Sequence, residues 1–418
     1  MRRLLFAGLM LLCCTSGLAQ SPTIVEIAFE GNEVTQPRTM LREMTVKVGD
    51  AANPEAIERS RQAVLDLGLF QQAGARTEPA PGGVRLIVTV REKWYILPIP
   101  RIEADSDEDF GYGAQLRWSN LWGLNHSLRV VGIYRTYEEE DRDSATSFML
   151  RYGIPFVGDS RNSLSFNAQH TEQSSIERET RLPYNETFNS AGVFTSRHLG
   201  SGPPSQGWRV GGGLLWQDQD VDRPDAPAAF GTAVGPSASL SYRDVRFHVF
   251  SEDGFSAGLG VSGAVDGLAS DYEFWSYSAA MRRQWAVGEK DHQTLGLIAE
   301  IVGYHAGPSS RDPEAASLGG SSRVRGYEQE FQEGDFSWYL GAEFLRPLGP
   351  KWLRGLAVLE VGSAYEDLKR TQGRPVLVSA GLGLRVRFTL FVNVELEMGL
   401  AWPLTETRDG MQFFAGGV

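Results

Sequence analysis

From Glu92 to Val418 the chain reads as one short alternating segment after another, and no helical period interrupts the series. A two-residue period puts successive side chains on opposite faces of a strand, so this long stretch is committed to β-structure. In Gly111–Trp118, Tyr112, Ala114, Leu116 and Trp118 face one way, opposed by Gly111, Gly113, Gln115 and Arg117. In Leu295–Tyr304 the apolar series Leu295, Leu297, Ala299, Ile301 opposes a face that carries Glu300. In Ala380–Phe388, Leu382, Leu384, Val386 and Phe388 oppose Gly381, Gly383, Arg385 and Arg387. One polar and one apolar face suit a water-filled barrel in lipid. They also suit a sandwich that buries the apolar face, and alternation alone leaves both open.

Sixteen strands are predicted, near 94–104, 110–119, 126–138, 145–155, 160–171, 186–197, 207–219, 232–243, 254–265, 271–286, 292–306, 335–347, 353–366, 374–388, 390–404 and 411–418. An even count suits closure into a barrel, which removes both edges. The connections alternate in length. Tyr137–Ala145, Thr171–Asn185, Gln217–Phe230 and Ala306–Gly334 are long and mostly acidic, whereas Phe156–Arg161, Ala286–Asp291 and Pro347–Lys351 are short. His198–Gly207 and Arg243–Gly254 break the rule. Long outer loops and short periplasmic turns are the asymmetry of outer-membrane barrels.

Residues 1–19 read as an export signal: Arg2 and Arg3, then the apolar Leu4–Cys14, then Gly17-Leu18-Ala19. Cys13 and Cys14, the only cysteines, fall inside it, so the mature chain is expected to lack any disulfide. Losing Arg2 and Arg3 takes the formal charge from −12 to −14, which argues against general nucleic-acid binding. No later apolar run reaches the ~18 residues of a membrane helix.

Residues 22–92 have a different character. Ile24–Phe29 alternates and ends at Gly31-Asn32; Gln36–Met44 predicts a short helix; Asn53 and Pro54 can cap and open a second. Along the second helix Ile57, Ala63, Val64 and Leu67 recur at helical spacing, and Gly68 suits a left-handed cap. An edge strand follows over Phe70–Thr77, then a Gly82-Gly83 turn into Val84–Val90. The β-α-α-β-β order resembles the polypeptide-transport-associated (POTRA) domain, carried by Phe29-Glu30-Gly31-Asn32, Leu67-Gly68-Leu69-Phe70 and the last strand. Its edge strand offers unpaired backbone groups to an extended client.

One polar loop stands apart. Gly319-Gly320-Ser321-Ser322 leads into Val324-Arg325-Gly326-Tyr327, between the eleventh and twelfth predicted strands. An arginine fixed inside a membrane barrel needs a partner. With the POTRA-like segment in front and sixteen strands around it, this motif makes the chain similar to the bacterial surface antigen family, which includes the BamA-type and TamA-type assembly barrels and the two-partner secretion transporters. The resemblance implies a 16-stranded antiparallel transmembrane β-barrel over 93–418, preceded by one POTRA domain over 22–92 on the periplasmic side. It also implies that loop 308–334 folds into the lumen and that Arg325 pairs with an acidic residue within a Phe-x-Asp-x-Gly pattern. Here that stretch is Val358-Leu359-Glu360-Val361-Gly362, which makes Glu360 the partner, with Gly362 matching and Val358 replacing Phe. Gly326 then permits close backbone approach, and Tyr327 packs on the wall.

The chain departs from the family at its end. Such barrels close on an aromatic residue, but this one ends Phe413-Phe414-Ala415-Gly416-Gly417-Val418, with Phe414 the nearest aromatic in phase with the last residue. Pro98 and Pro100 remove ladder donors from the first strand, so both sides of the closing seam are expected to be weakly zipped.

Other chemistry is missing from the pattern. Gly258-Leu259-Gly260-Val261-Ser262-Gly263 lies in a strand, not before a helix. Asp105–Asp109 begins like a calcium loop, but Phe110 and Leu116 occupy its glycine and glutamate positions. Asp218, Asp220, Asp222 and Asp225 read as a solvated outer loop, and the histidines are scattered. The resemblance implies a non-enzymatic protein without cofactor or metal that inserts or translocates polypeptides. Its partners would be unfolded outer-membrane or secreted clients, outer-membrane lipid and lipopolysaccharide, and periplasmic accessory proteins. A dedicated secretion pore and a passive channel or surface antigen are the alternatives.

Overall fold

The computed structural model describes residues 21–104, 110–136, 144–176, 182–223, 231–306, 316–365, 374–405 and 410–417. The predicted leader, Asp105–Asp109 and Asp225 fall outside them.

The N-terminal domain holds β1 (Ile24–Glu30), α1 (Pro37–Leu41), α2 (Pro54–Asp66), β2 (Phe70–Ala80) and β3 (Gly83–Glu92). Its sheet has the order β1-β3-β2, with β1 parallel and β2 antiparallel to the central β3. The Asn53 side chain accepts from the Glu55 and Ala56 amides and so caps α2. Gly68, with φ +73°, stops it. Ile24, Met40, Val64, Leu69, Phe70, Leu86 and Val88 form the core. The predicted first helix ends early, at Leu41, because the chain then turns to put Met44 in this core and Glu43 at a buried boundary. The edge strand runs three residues further than expected, to Ala80; Pro79, which has no N–H, is tolerated at an edge.

The remainder forms one antiparallel sixteen-stranded sheet in sequence order. Its strands are β4 (Ile96–Ala104), β5 (Phe110–Leu121), β6 (His126–Thr136), β7 (Ala145–Ile154), β8 (Asn162–Ile176), β9 (Pro183–Leu199), β10 (Gly207–Val221), β11 (Gly231–Phe247), β12 (Glu252–Ala264), β13 (Phe274–Ala286), β14 (Thr294–Ala306), β15 (Phe336–Pro347), β16 (Leu353–Tyr365), β17 (Leu377–Phe388), β18 (Val394–Pro403) and β19 (Gln412–Gly417). All sixteen predicted strands have a counterpart. The two irregular connections shrink because the strands run on: β9 reaches Leu199, and β11 reaches Phe247, leaving only 248–251 as a turn.

The sheet curls until the root of β4 and the lower end of β5 meet the turn between β17 and β18. The Trp94 N–H donates to Leu390 O at 2.7 Å, the Trp94 and Phe391 rings lie 5.6 Å apart, and Arg117 Nη1 donates to Asn393 O at 3.3 Å. No ladder joins β4 to β19 among the described residues. Leu382, Leu259, Leu214 and Tyr112 stand on the outer face at more than half exposure, whereas Glu360, Arg385 and Gln115 on the inner face are buried. That inversion, apolar outside and charge inside, is what lipid requires and water forbids. No helix among the described residues is long and apolar enough to cross a membrane.

The two domains pack closely. Phe247, the last residue of β11, enters the N-terminal core. Asp66 accepts from the Phe247 N–H at 2.8 Å, and Lys93 Nζ sits 4.4 Å over the Phe247 ring while donating to Gly68 O at 2.8 Å. Thr39 Oγ1 donates to Gly123 O, Arg42 to Gly158 O and Asp159, and Ser205 donates through both N and Oγ to Glu43. The first domain therefore touches the short turns after β5, β7, β9 and β11, and its last residues lean on the turn after β17.

Candidate functional site

Residues 316–335 of the connection between β14 and β15 fold back along the inner wall of β15–β18. Leu318 and Gln332 pair their backbones, and Gln332 reaches the Ala364 N–H and Pro375 O. Leu318, Val324 and Tyr327 pack with Tyr339, Ala364 and Leu377 in a cluster of their own. Val324 is fully buried with φ +53°, a conformation a β-branched residue avoids. Its neighbours hold it there, at a cost of about 1–3 kcal/mol.

Arg325 is the centre. Its N–H and Nε donate to the two oxygens of Glu360, at 2.8 and 3.1 Å. Nη1 donates to Glu397 at 3.0 Å and Nη2 to Glu343 at 2.9 Å. Every face of the guanidinium is thus used, and the Phe414 ring lies 5.3 Å from its carbon. Arg385 bonds the same Glu343 and Glu397, and Arg282 lies 3.5 Å from Glu343. Three arginines therefore balance three glutamates. Tyr339 and Ser379 hydroxyls complete Glu360, which has no exposed surface. A buried carboxylate is tolerated only when its lone pairs are filled this way.

The structure brings together Val324, Arg325, Gly326, Tyr327, Glu360 and Gly362. Gly326 has φ +105°, and a Cβ there would stand 3.1 Å from the Ala401 and Trp402 carbonyl carbons. A Cβ on Gly362 would meet Trp338 O at 2.7 Å and Leu318 at 3.0 Å, so this glycine makes the groove the loop lies in. Tyr327 donates to Val378 O and Thr405 O. Gly31, Asn32, Gly68 and Phe70 lie in the other domain. Asn32 braces Thr35 O, the Gly68 carbonyl receives Lys93, and Phe70 is in the core.

A single partner for Arg325 was too few. Glu343 and Glu397 were missed, although a glutamate in the polar phase of an otherwise apolar strand is the signal that would have found them. Arg323 likewise pairs with Glu300, on the polar face already recognised, at 2.5 Å. The structure also gives Phe414 a direction. Being in phase with the last residue puts it inside, beneath Arg325, and the lipid-facing aromatic is Phe413, 68% exposed. Asp218 accepts from Thr232 Oγ1, and no group of metal-ligating side chains occurs among the described residues.

The lumen is uneven. Register tracing from Glu343 through Gly296, Gln284 and Gly254 puts Gly258, Gly260, Ser262, Ser276, Ser278, Ser237 and Ser239 on the inner wall. This stretch of β11–β13 is thus neutral and low, beside the charged knot. Outside the strands, burial raises the Glu43 and Asp66 carboxyls, and burial, helped by Arg387, pushes Lys93 down to about 7.

Comparisons with known proteins agree with this architecture. Residues 22–93 match the POTRA family described as the surface antigen variable number repeat, and residues 120–417 match the Omp85 superfamily domain. The outer membrane protein assembly factor BamA of Nitratidesulfovibrio vulgaris Hildenborough is 33% identical over 89 residues, 21% of this chain. The chain spans about a tenth of the length of that curated relative. Among solved structures, CdiB from Escherichia coli superposes with a TM-score of 0.63 at 15% identity, covering 95% of this chain and 76% of that one. CdiB from Acinetobacter baumannii gives 0.60 at 14%, covering 94% and 73%. BamA from Haemophilus ducreyi lacking POTRA domains 1–3 gives 0.55 at 15%, covering 95% and 84%. The chain belongs to the Omp85 superfamily, with its barrel in the outer membrane and its POTRA domain in the periplasm.

Proposed function

We propose that this protein inserts polypeptides into the outer membrane through the seam between β4 and β19, after capture at the POTRA edge. The observation that carries this is the state of that seam. Tyr95 O accepts from the Ser119 N–H, so odd residues of β4 turn their backbone groups toward β5 and even residues turn theirs toward β19. Pro98 and Pro100 are even. Two donors are thus missing from the edge that would zip the barrel, and the six-residue β19 offers Gly416 and Gly417 in return. An incoming strand meets a half-open edge and can pair with it. The loop bound through Arg325 braces β15–β18 and, through Phe414, β19. One side of the opening is held while the other is free to part.

The test is insertion of an unfolded barrel substrate into vesicles that contain the reconstituted protein. Acceleration is expected. A thiol crosslinker joining Pro98→Cys to Ala415→Cys should abolish it, and reduction of a cleavable linker should restore it. Equal rates with and without protein would refute the proposal. A dedicated secretion pore is the second reading, favoured by the neutral Gly/Ser wall of β11–β13, past which an extended chain could slide. A locked seam that leaves passage of a soluble client across the vesicle wall intact would select it.

A further inference from the structure

We propose that Arg117, Arg129 and Arg151 form a lumenal site for acidic segments of the client polypeptide. This deepens the function proposed above and rests on it.

The three arginines sit in one row. Arg117 on β5 pairs in register with Arg129 on β6, which pairs in register with Arg151 on β7. All three share a face with the buried Gln115 and oppose the lipid-facing Leu116, Val130 and Leu150, so the row faces the lumen. Directly opposed residues lie about 4.5–5.5 Å apart at Cα, and like charges placed so destabilise a sheet. A carboxylate partner would remove that repulsion, as it does around Arg325. None is supplied. Arg117 donates to Asn393 O and Arg129 to Gln115 Oε1, both neutral acceptors. Arg129 Nε is sheltered from solvent with no hydrogen-bond partner. Arg151 stands open to the lumen, without an ion pair among the described residues.

Each arginine lies within about five residues of its strand's periplasmic end, roughly 15 Å or less. The row is also well placed for a client. It lies on the first strands after the seam, just above the turns where the POTRA domain docks. A segment passing from the POTRA edge toward β4 meets it before reaching the seam. Planar guanidiniums in a row accept carboxylates bidentately, so the class selected is an extended segment carrying several Asp or Glu.

The experiment is calorimetric titration of the full chain in detergent with a Glu-Ser repeat peptide, a Gln-Ser repeat peptide and inorganic phosphate. The Glu-Ser peptide is expected to bind at low salt and weaken steeply as salt rises; the Gln-Ser peptide is expected not to bind. Arg129→Gln and Arg151→Gln should each weaken binding by roughly tenfold, Arg129→Lys by less, and Arg197→Gln, outside the row at the end of β9, not at all. Unchanged heat-modifiable migration in gels shows that each variant has folded. Binding that survives the paired Arg129→Gln and Arg151→Gln substitutions overturns the proposal. So does equal binding of the Gln-Ser peptide, or displacement of the Glu-Ser peptide by phosphate at matched charge, which would make the row a general anion site. The two readings fail separately. Vesicle insertion accelerated equally for acidic and neutral clients, with no peptide bound, overturns the acidic site alone. Peptide binding without any accelerated insertion overturns the insertion function alone.

Discussion

Replacing Glu360 by Ala is the sharpest perturbation of the lumenal loop. Glu360 has no exposed surface and accepts from the Arg325 N–H, Arg325 Nε and the Tyr339 and Ser379 hydroxyls. Breaking a buried ion pair from one side costs about 3–5 kcal/mol, because the other charge stays buried. Arg325 keeps Glu343 and Glu397, so Glu360→Ala belongs at the lower end, about 3 kcal/mol. Arg325→Ala should cost more: it strips a cation from three carboxylates and leaves only Arg385 and Arg282 among them. The sequence has no cysteine after Cys14, so Val324→Cys, buried in the closed loop, reports its opening by thiol labelling. Labelling through a rapidly opening segment follows the opening equilibrium, and each 1.4 kcal/mol is a factor of ten. Glu360→Ala should therefore raise the rate about a hundredfold in the Val324→Cys background, and Arg325→Ala further. The double variant should fall well short of the sum, by about 2 kcal/mol. Additivity within about 0.5 kcal/mol would refute the pairing as the loop's main anchor.

Three further outcomes follow from the same contacts. Tyr327→Phe removes bonds to the Val378 and Thr405 carbonyls and should raise Val324→Cys labelling roughly tenfold, as about 1–2 kcal/mol of hydrogen bonding is lost. Gly362→Ala puts a Cβ 2.7 Å from Trp338 O and should loosen the loop by about 1–3 kcal/mol while circular dichroism of the barrel stays unchanged. POTRA docking should depend on pH through Lys93, held down near 7 by burial against an ordinary 10.5. The docked form binds fewer protons than the undocked one, so docking weakens as pH falls from about 10.5 to about 7 and is then flat; at 1.36 kcal/mol per pH unit the loss is at most about 4–5 kcal/mol. Spin labels at Arg59 and Lys290 should show the change by electron–electron distance measurement. Lys93→Met should abolish it.

What could be read in the sequence followed the strength of the local signal. Two-residue alternation over an apolar stripe survives any tertiary context, so all the strands were legible and only their ends moved. The end of β11 moved because Phe247 was bound for the POTRA core, a destination only the folded chain discloses. Arg325 and Glu360 were legible because a motif and a charge argument met. Glu343 lies on the strand that follows the loop and Glu397 two strands beyond Glu360, and their convergence depends on how three strands and a loop are staggered. The direction of Phe414 turned on parity alone. Counting from the last residue gives its phase, but not which phase faces lipid; that follows from Leu400 and Met398 on the neighbouring strand, which point outward.

The two edges of the seam belong to different bodies. β19 is tied to the loop through Phe414 under Arg325, and β18 through Glu397. β4 follows the POTRA domain directly, and Lys93 and Trp94 at its root are fixed to Gly68, Phe247 and Leu390. The knot ties its strands together with three arginines on three glutamates, whereas Lys93, Glu43 and Asp66 hold the POTRA interface with groups that burial has brought toward neutrality. If the proposed opening occurs, the mobile side should therefore be β4, moved by the POTRA domain as it undocks, and the fixed side β19. Arg117 would move with it, since its bond to Asn393 spans the two sides. Capture of a client at the POTRA edge and parting of the seam would then be one motion, with the loop serving as the post against which the gate swings.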